Sequence, residues 1–168
     1  RVVQPETQSV QMADSDVQAP QNPLLHSLEH LGEGTALAQQ IFDMIGHSKF
    51  FADFTREDVQ RLTAFMQIYR AEATQTMIRE GDVDDYMLLI IQGQVEIVKI
   101  DSHGNLQPMT TVGPGATRGE MSMIDGETRF ATCLALEPTT FAVLSRDSMV
   151  QIILEEPALG AKLLVKLV

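Results

Sequence analysis

The sequence predicts an α+β fold in which helices flank a small antiparallel β unit. Between about residues 73 and 144, short β-rich runs alternate with glycine-containing turns at a spacing of roughly 10 residues, which is typical of an antiparallel barrel or sandwich. Apolar residues recur at helical spacing on both sides of this region. Because the predicted helices are segregated from the strands along the chain, the pattern favours the α+β class.

The first 34 residues are predicted to be a disordered or irregular tail. Residues 1–23 are rich in glutamine and proline and contain no aromatic side chain. A segment of this composition buries too little apolar surface to fold by itself. We therefore predict a single folded domain over residues 35–168.

Helical patterns mark two segments before the strands. Leu37, Ile41 and Ile45 recur with the spacing of one helix face, and the pattern ends near residue 46. Thr55, followed three residues later by Asp58, predicts the capped start of a second helix. Its predicted buried side comprises Val59, Leu62, Phe65 and Met66.

The strands and the C-terminal helices follow from similar patterns. The predicted strands are residues 86–91, 95–100, 109–112, 132–136 and 139–144, within a β unit of about 73–144. Helices are predicted over about 145–168, with Ser145 as a cap and a break at Pro157. The later helix carries an apolar stripe, Leu159, Leu163, Leu164 and Leu167, which we interpret as core or dimer seam in preference to a ligand lid.

Composition excludes several classes of function. A net charge of -11 and a pI near 4.6 argue against binding to nucleic acid or an anionic membrane. No apolar run approaches the roughly 20 residues of a membrane span. The single cysteine, Cys133, lies in an apolar run and is predicted to be a buried free thiol, which suits the cytoplasm.

Neither a metal site nor an enzyme is predicted. His26, His30 and His47 precede the predicted strands, and only His103 lies among them, so the histidines cannot form a ligand set on the sheet. No Ser-His-Asp or Cys-His combination lies near the glycine-rich segment described next. No cofactor is expected.

One segment, residues 113–129, interrupts the β pattern with four glycines and two arginines in an acidic chain. Gly119 allows a close backbone approach, and residues 120–124 can form a helical turn whose free N–H groups bind an anion. Arg129 can add a bidentate grip on the same anion. Glu120 would repel a phosphate but can accept a hydrogen bond from a ribose hydroxyl, so the segment can hold a sugar-phosphate.

This segment resembles the phosphate-binding cassette of the cyclic-nucleotide-binding domain family. That family includes the catabolite activator protein, the regulatory subunits of cAMP-dependent protein kinase and the cyclic-nucleotide-gated channels. The resemblance covers roughly residues 50–168. The matching motifs are Phe50-Phe51, Thr55 to Val59 with Leu62, Ile78 to Asp82, Leu89 to Val95, Gly113-Pro114-Gly115, Gly119 to Met123, Arg129, Ala131-Thr132 and the stretch from Phe141 to Pro157.

The resemblance implies an eight-stranded antiparallel β-roll of the double-stranded jelly-roll type, flanked by helices. It also implies roles for individual residues: Gly119 and Glu120 at the ribose 2′-hydroxyl, the N–H groups of Ser122 and Phe130 at the cyclic phosphate, and Arg129 at its charge. Met121 and Thr132 complete the implied ligand-binding set. The purine would lie against side chains of the β-roll, capped by the helix after Pro157.

Three positions depart from the family pattern. Arg118 replaces an apolar aromatic residue, and we expect it to face solvent in preference to adding a second positive charge near the ligand. Thr128 replaces a frequent proline. Phe130 replaces a small or hydroxyl residue, and its ring can point away from the ligand, narrow the pocket or block it.

These observations favour a regulatory sensor that binds a cyclic nucleotide, cAMP in preference to cGMP, and transmits occupancy through its C-terminal helices. The partner is a second copy, which would dimerise through those helices, or another domain. The alternative is a degenerate β-roll interaction module that no longer binds a nucleotide. A third interpretation, the sensor part of a transcription factor, requires a DNA-binding surface that this acidic sequence does not contain.

Overall fold

A computed structural model describes residues 23–45, 48 and 51–167, which form nine strands in two antiparallel sheets together with flanking helices. The helices are α1 (Pro23–His26), α2 (Ala38–Ile45, after a 3₁₀ turn at Gly34–Leu37), α3 (Arg56–Thr63), α4 (Glu120–Asp125), α5 (Arg146–Glu155) and α6 (Pro157–Leu167). The strands are β1 (Glu29–Glu33), β2 (Gln67–Ala71), β3 (Thr76–Ile78), β4 (Tyr86–Gln92), β5 (Val95–Ile100), β6 (Leu106–Val112), β7 (Thr117–Arg118), β8 (Thr132–Ala135) and β9 (Thr139–Ser145).

The two sheets confirm the predicted α+β class. The larger sheet has the order β1-β2-β9-β4-β7, and the smaller has the order β3-β8-β5-β6. The sequence left a barrel or a sandwich open, and the described strands form two separate sheets that do not close into one barrel. The described residues contain nine strands, which agrees with the expected number of about eight. Strand β7, with two residues, is too short to produce a sequence pattern.

Strand β4 shows why the larger sheet lies at the centre of the molecule. Its alternate residues Met87 and Leu89 belong to a core cluster that also contains the helices. Leu88 and Ile90 belong to a second cluster, which lies between the two sheets. Because successive side chains of a strand point to opposite faces, a strand with both faces covered has the continuous apolar run seen here.

The helix boundaries follow the predicted caps. Thr55 and Asp58 form the reciprocal capping box at the start of α3, and the Ser145 hydroxyl accepts the N–H of Ser148 at the start of α5. Pro157 is the first residue of α6, a position where a missing N–H costs nothing. The predicted helix over residues 37–45 is also present, and its predicted end near residue 46 lies outside the described residues.

The N-terminal prediction is wrong for residues 23–33. Strand β1 pairs with β2 at the edge of the larger sheet, and Leu25 and Leu28 are buried in the cluster between the sheets. Most of β1 is exposed, so the strand has no alternating apolar pattern that a sequence could reveal. Residues 1–22 lie outside the described part of the chain.

The apolar stripe of α6 is part of the core. Leu159 and Leu163 are buried in the cluster formed by the helices and the larger sheet, with Leu167 packed at its edge. Leu164 is partly exposed, at 38%. The core interpretation of the stripe is therefore confirmed for three of its four residues.

Candidate functional site

A cavity of about 540 Å³ lies between the smaller sheet and the segment that runs from β7 through α4 to residue 131. This volume is suitable for a small organic ligand. One wall comes from strands and is mainly apolar: Ile78, Ile97, Met109, Thr110 and Cys133. The other wall comes from the glycine-rich segment: Arg118, Gly119, Glu120, Met121, Ser122, Glu127, Thr128, Arg129, Phe130 and Ala131.

Gly119 forms the corner between β7 and α4. Its φ is +86°, in the left-handed region that favours glycine. A Cβ at this position would lie 2.9 Å from the carbonyl oxygen of Tyr86, so the space also excludes a side chain. Gly119 provides no side-chain cap, and the first N–H groups of α4, up to that of the buried Ser122, therefore have no acceptor within the helix.

Arg129 lies directly behind this corner and is only 3% exposed. Its Nε forms an ion pair with Asp84, and its Nη1 donates to the carbonyl oxygen of Gly119 at 3.1 Å. Its Nη2 donates to the carbonyl oxygen of Tyr86, and the guanidinium carbon lies 4.6 Å from the centre of the Tyr86 ring. These contacts fix the guanidinium at the edge of the cavity.

The electrostatics of the Arg129 pair depend on burial. Burial raises the pKa of the Asp84 carboxyl, although Arg129 opposes this shift and the neighbouring Asp82 and Asp85 add to it. Burial also raises the pKa of the Tyr86 hydroxyl, which donates to the carbonyl oxygen of Met77 at 2.8 Å. The tyrosine therefore stays neutral, and Arg129 favours the ionised form of the Asp84 carboxyl with which it pairs.

The ring of Phe130 does not fill the cavity. The residue is 72% exposed, and the Nζ of Lys99 lies 3.9 Å from the ring centre. Lys99 also donates to the carbonyl oxygen of Phe130 at 2.8 Å and pairs with Glu80 at 2.6 Å. The ring therefore does not block the cavity, although Phe130 belongs to the cavity lining.

Comparison with known proteins agrees with this geometry. The model of the cyclic nucleotide-binding domain family matches residues 69–156. The chain belongs to the cyclic nucleotide-binding domain family. A crystal structure of a cyclic nucleotide-binding domain from Methylobacillus flagellatus is 41% identical, with a TM-score of 0.77 over 87% of this chain and 82% of that one.

Two curated relatives of this cyclic nucleotide-binding domain are much longer proteins. The cAMP-dependent protein kinase regulatory subunit of Yarrowia lipolytica is 24% identical over 70% of this chain, which spans 30% of that protein. The cGMP-dependent protein kinase egl-4 of Caenorhabditis elegans is 26% identical over 72% of this chain, which spans 15% of that protein. The similarity thus covers a domain of these relatives.

Six of the seven predicted ligand-binding residues of this domain line the cavity: Gly119, Glu120, Met121, Ser122, Arg129 and Phe130. Thr132 does not line it. Its buried hydroxyl accepts the N–H of Glu80 at 2.9 Å, which ties the end of β3 to β8. Thr132 therefore has a structural contact, and its contact with a ligand stays a prediction.

Two residues of the cavity were missed or misjudged from the sequence. Arg118, expected to face solvent, lines the cavity, and its Nε is buried without a hydrogen-bond partner among the described residues. Cys133, predicted only as a buried thiol, is buried and also lines the cavity. Burial raises the pKa of this thiol to about 12, so it is neutral at physiological pH.

The helix after Pro157 does not cap the cavity of this cyclic nucleotide-binding domain. No described residue of α6 lines it, because the apolar face of α6 packs into the core instead. Within residues 23–45, 48 and 51–167, no three His, Cys, Asp or Glu side chains are grouped to hold a metal ion. None of the helices in these ranges is long and apolar enough to cross a membrane.

Proposed function

We propose that this chain is a regulatory sensor that binds cAMP in the cavity beside α4 and signals its occupancy through α5 and α6. The observation that carries the proposal is the meeting of two anion-binding elements at one wall. The free N–H groups at the start of α4 and the guanidinium of Arg129 both adjoin Gly119. A cyclic phosphate bound there would receive hydrogen bonds from the backbone and a charge from the arginine.

The sugar and the base of the ligand have matching surroundings. Glu120 lies on the same wall and forms no ion pair with a described residue. Its carboxylate is free to accept a hydrogen bond from the ribose 2′-hydroxyl. The apolar wall of Ile97, Met109 and Cys133 would contact the purine.

A path for transmission begins at α4. Met123 lies on α4 and is 1% exposed, and it belongs to the core cluster that contains Leu159 and Leu163 of α6. A ligand that moves the start of α4 would therefore disturb the packing of α6. Only a difference in ligand affinity between the two arrangements can drive such a shift.

The outer faces of α5 and α6 supply a surface for a partner. Leu154 and Val165 on these helices are each 75% exposed, and Val150, Ile153 and Leu164 are partly exposed. We propose a homodimer through these helices. The buried free thiol of Cys133 supports a location in the reducing environment of the cytoplasm.

A melting experiment tests the proposed ligand. The full chain is unfolded thermally with cAMP, cGMP, a cyclic dinucleotide or no addition. A ligand present at 100 times its dissociation constant is expected to add ~2.7 kcal/mol to the free energy of unfolding, with cAMP effective at the lowest concentration. Stabilisation by cGMP alone would contradict the choice of nucleotide, and no stabilisation by any of the three would favour the degenerate module.

A further inference from the structure

Arg118 projects into the cavity because of the strand register. It lies opposite Leu88 in the antiparallel pairing of β7 with β4. Residues directly opposite each other in such a pair project from the same face of the sheet. Leu88 is fully buried in the cluster between the two sheets, so the side chain of Arg118 enters the space between the sheets, where it lines the cavity.

The guanidinium of Arg118 has hydrogen-bonding capacity that no described residue satisfies. Its Nε is buried and has no partner, and its Nη1 donates only to the carbonyl oxygen of Thr117, at 3.4 Å. Native proteins pair nearly all of their buried polar atoms, so an exception calls for an explanation. Arg129 differs, because each of its three nitrogens donates to an oxygen of the protein.

The charge of Arg118 is also unbalanced. Arg129 is paired with Asp84, whereas Arg118 forms no ion pair in the described ranges. The neighbouring thiol of Cys133 cannot compensate for the charge, because burial raises its pKa to about 12 against the opposing effect of Arg118. The cavity therefore presents one guanidinium with neither a counter-ion nor a full set of acceptors.

We propose that Arg118 binds the phosphate of the nucleotide directly, as a second guanidinium on the wall that also contains Arg129 and the start of α4. This inference rests on the proposed function and adds a residue to its site. The planar fork of an arginine can donate two parallel hydrogen bonds to the non-bridging oxygens of a phosphate. Arg118 thus replaces the apolar residue that is usual at this position with a charged contact.

The test compares the Arg118→Leu, Arg118→Lys and Arg61→Leu variants of the full chain with wild type. Arg61 lies on α3, is half exposed and pairs with Glu156 at 3.8 Å, so its variant makes the same charge change away from the cavity. Calorimetry measures the affinity for cAMP and for cGMP, and a melting scan measures the stability of each ligand-free protein.

We expect Arg118→Leu to weaken the binding of both nucleotides by the same factor, about 10- to 100-fold. Arg118→Lys should fall between this variant and wild type, and Arg61→Leu should bind like wild type. The ligand-free melting temperature of Arg118→Leu should equal or exceed that of wild type, because the substitution removes an unpartnered buried donor.

Three outcomes would overturn the inference while leaving the proposed function intact. Unchanged affinity in Arg118→Leu would exclude a ligand contact. A loss confined to one nucleotide would place the contact on the base. A melting temperature that falls together with the affinity would assign Arg118 a structural role. A wild type that binds neither nucleotide would instead contradict the proposed function, and this inference with it.

Discussion

Arg129 and Asp84 form a buried ion pair that joins the end of the glycine-rich segment to the loop before β4. The side chain of the arginine is 2% exposed and that of the aspartate 9%. The backbone strengthens this link, because the N–H of Arg129 donates to the carbonyl oxygen of Asp82 and the N–H of Gly81 donates to that of Arg129. The arginine proposed to bind phosphate is therefore also a structural residue.

Asp84→Ala is expected to lower the free energy of unfolding by ~3 to 5 kcal/mol, because it leaves the charge of Arg129 buried without a partner. Urea denaturation monitored by circular dichroism measures the change. Asp82→Ala is the matched control, since Asp82 lies in the same loop and pairs with Arg79 at 3.8 Å on the surface. Asp82→Ala should lower the free energy of unfolding by less than ~1 kcal/mol. Equal decreases in the two variants would contradict the role given to the buried pair.

Arg129→Ala is expected to weaken cAMP binding by ~2 to 5 kcal/mol, as for the loss of one partner of a buried charge pair. Because the substitution also leaves Asp84 unpaired, calorimetry should be performed well below the melting temperature of the variant, with near-ultraviolet circular dichroism as a check on folding. A folded variant with the affinity of wild type would remove Arg129 from the binding site.

Features with local signals were predictable from the sequence. Thr55 and Asp58 are three residues apart, so a capping box is visible without knowledge of the fold. The continuous apolar run of β4 similarly reflects burial on two faces. The glycine at position 119 was predicted to allow a close approach, and the structure gives the reason in its positive φ and its lack of space for a Cβ.

Features that depend on distant pairing were not predictable. The direction of the Arg118 side chain is set by the register of a two-residue strand against β4, and two residues carry no period. Asp84 lies 45 positions before the arginine that it binds, and nothing in an acidic loop distinguishes it from Asp82 or Asp85. In each case the tertiary neighbours, and not the local sequence, determine the environment.

Glu120 can be tested against a second glutamate of the same cavity. Glu120→Ala is expected to weaken cAMP binding about 10- to 100-fold, because it removes a charged acceptor from the ribose hydroxyl. Glu127→Ala makes the same change in a residue of the cavity lining that has no proposed ligand contact, and it should have little effect. Calorimetry with 2′-deoxy-cAMP supplies the matching ligand, which wild type and Glu120→Ala should bind equally. A difference between them would contradict the ribose contact.

Phe130→Ala tests whether the exposed ring is relevant to binding. The ring contacts Lys99 and is mostly exposed. Its removal should therefore lower the free energy of unfolding by ~0.5 to 1 kcal/mol. Affinity for cAMP, measured by calorimetry, should change by no more than about 3-fold, as for an ordinary surface substitution. A tenfold rise in affinity would show instead that the ring obstructs the cavity.

Asp58 connects two helices and is the best-placed group for a test by pH. Its carboxylate caps α3 and accepts a hydrogen bond from Lys162 of α6 at 2.6 Å. Burial tends to raise the pKa of Asp58, but hydrogen bonds from Lys162 and Thr55 outweigh this effect, and the pKa lies below its ordinary value of 3.8. The ionised carboxylate therefore stabilises the folded state.

Asp58→Asn is expected to lower the free energy of unfolding by ~1 kcal/mol at pH 7. Because the pKa is lower in the folded state, the stabilisation by the wild-type carboxylate is complete above the ordinary pKa of 3.8 and is lost as the pH falls through the folded value. Urea denaturation at a series of pH values should therefore show a constant difference in the free energy of unfolding between wild type and Asp58→Asn from pH 5 to 8. This difference should shrink below about pH 4.

Asp53→Asn is the control. Asp53 pairs with Lys166 at 2.7 Å, but its side chain is 70% exposed, so this substitution should lower the free energy of unfolding by less at every pH. A difference for Asp58→Asn that stays constant down to about pH 2 would show that the charge of Asp58 does not stabilise the contact between α3 and α6.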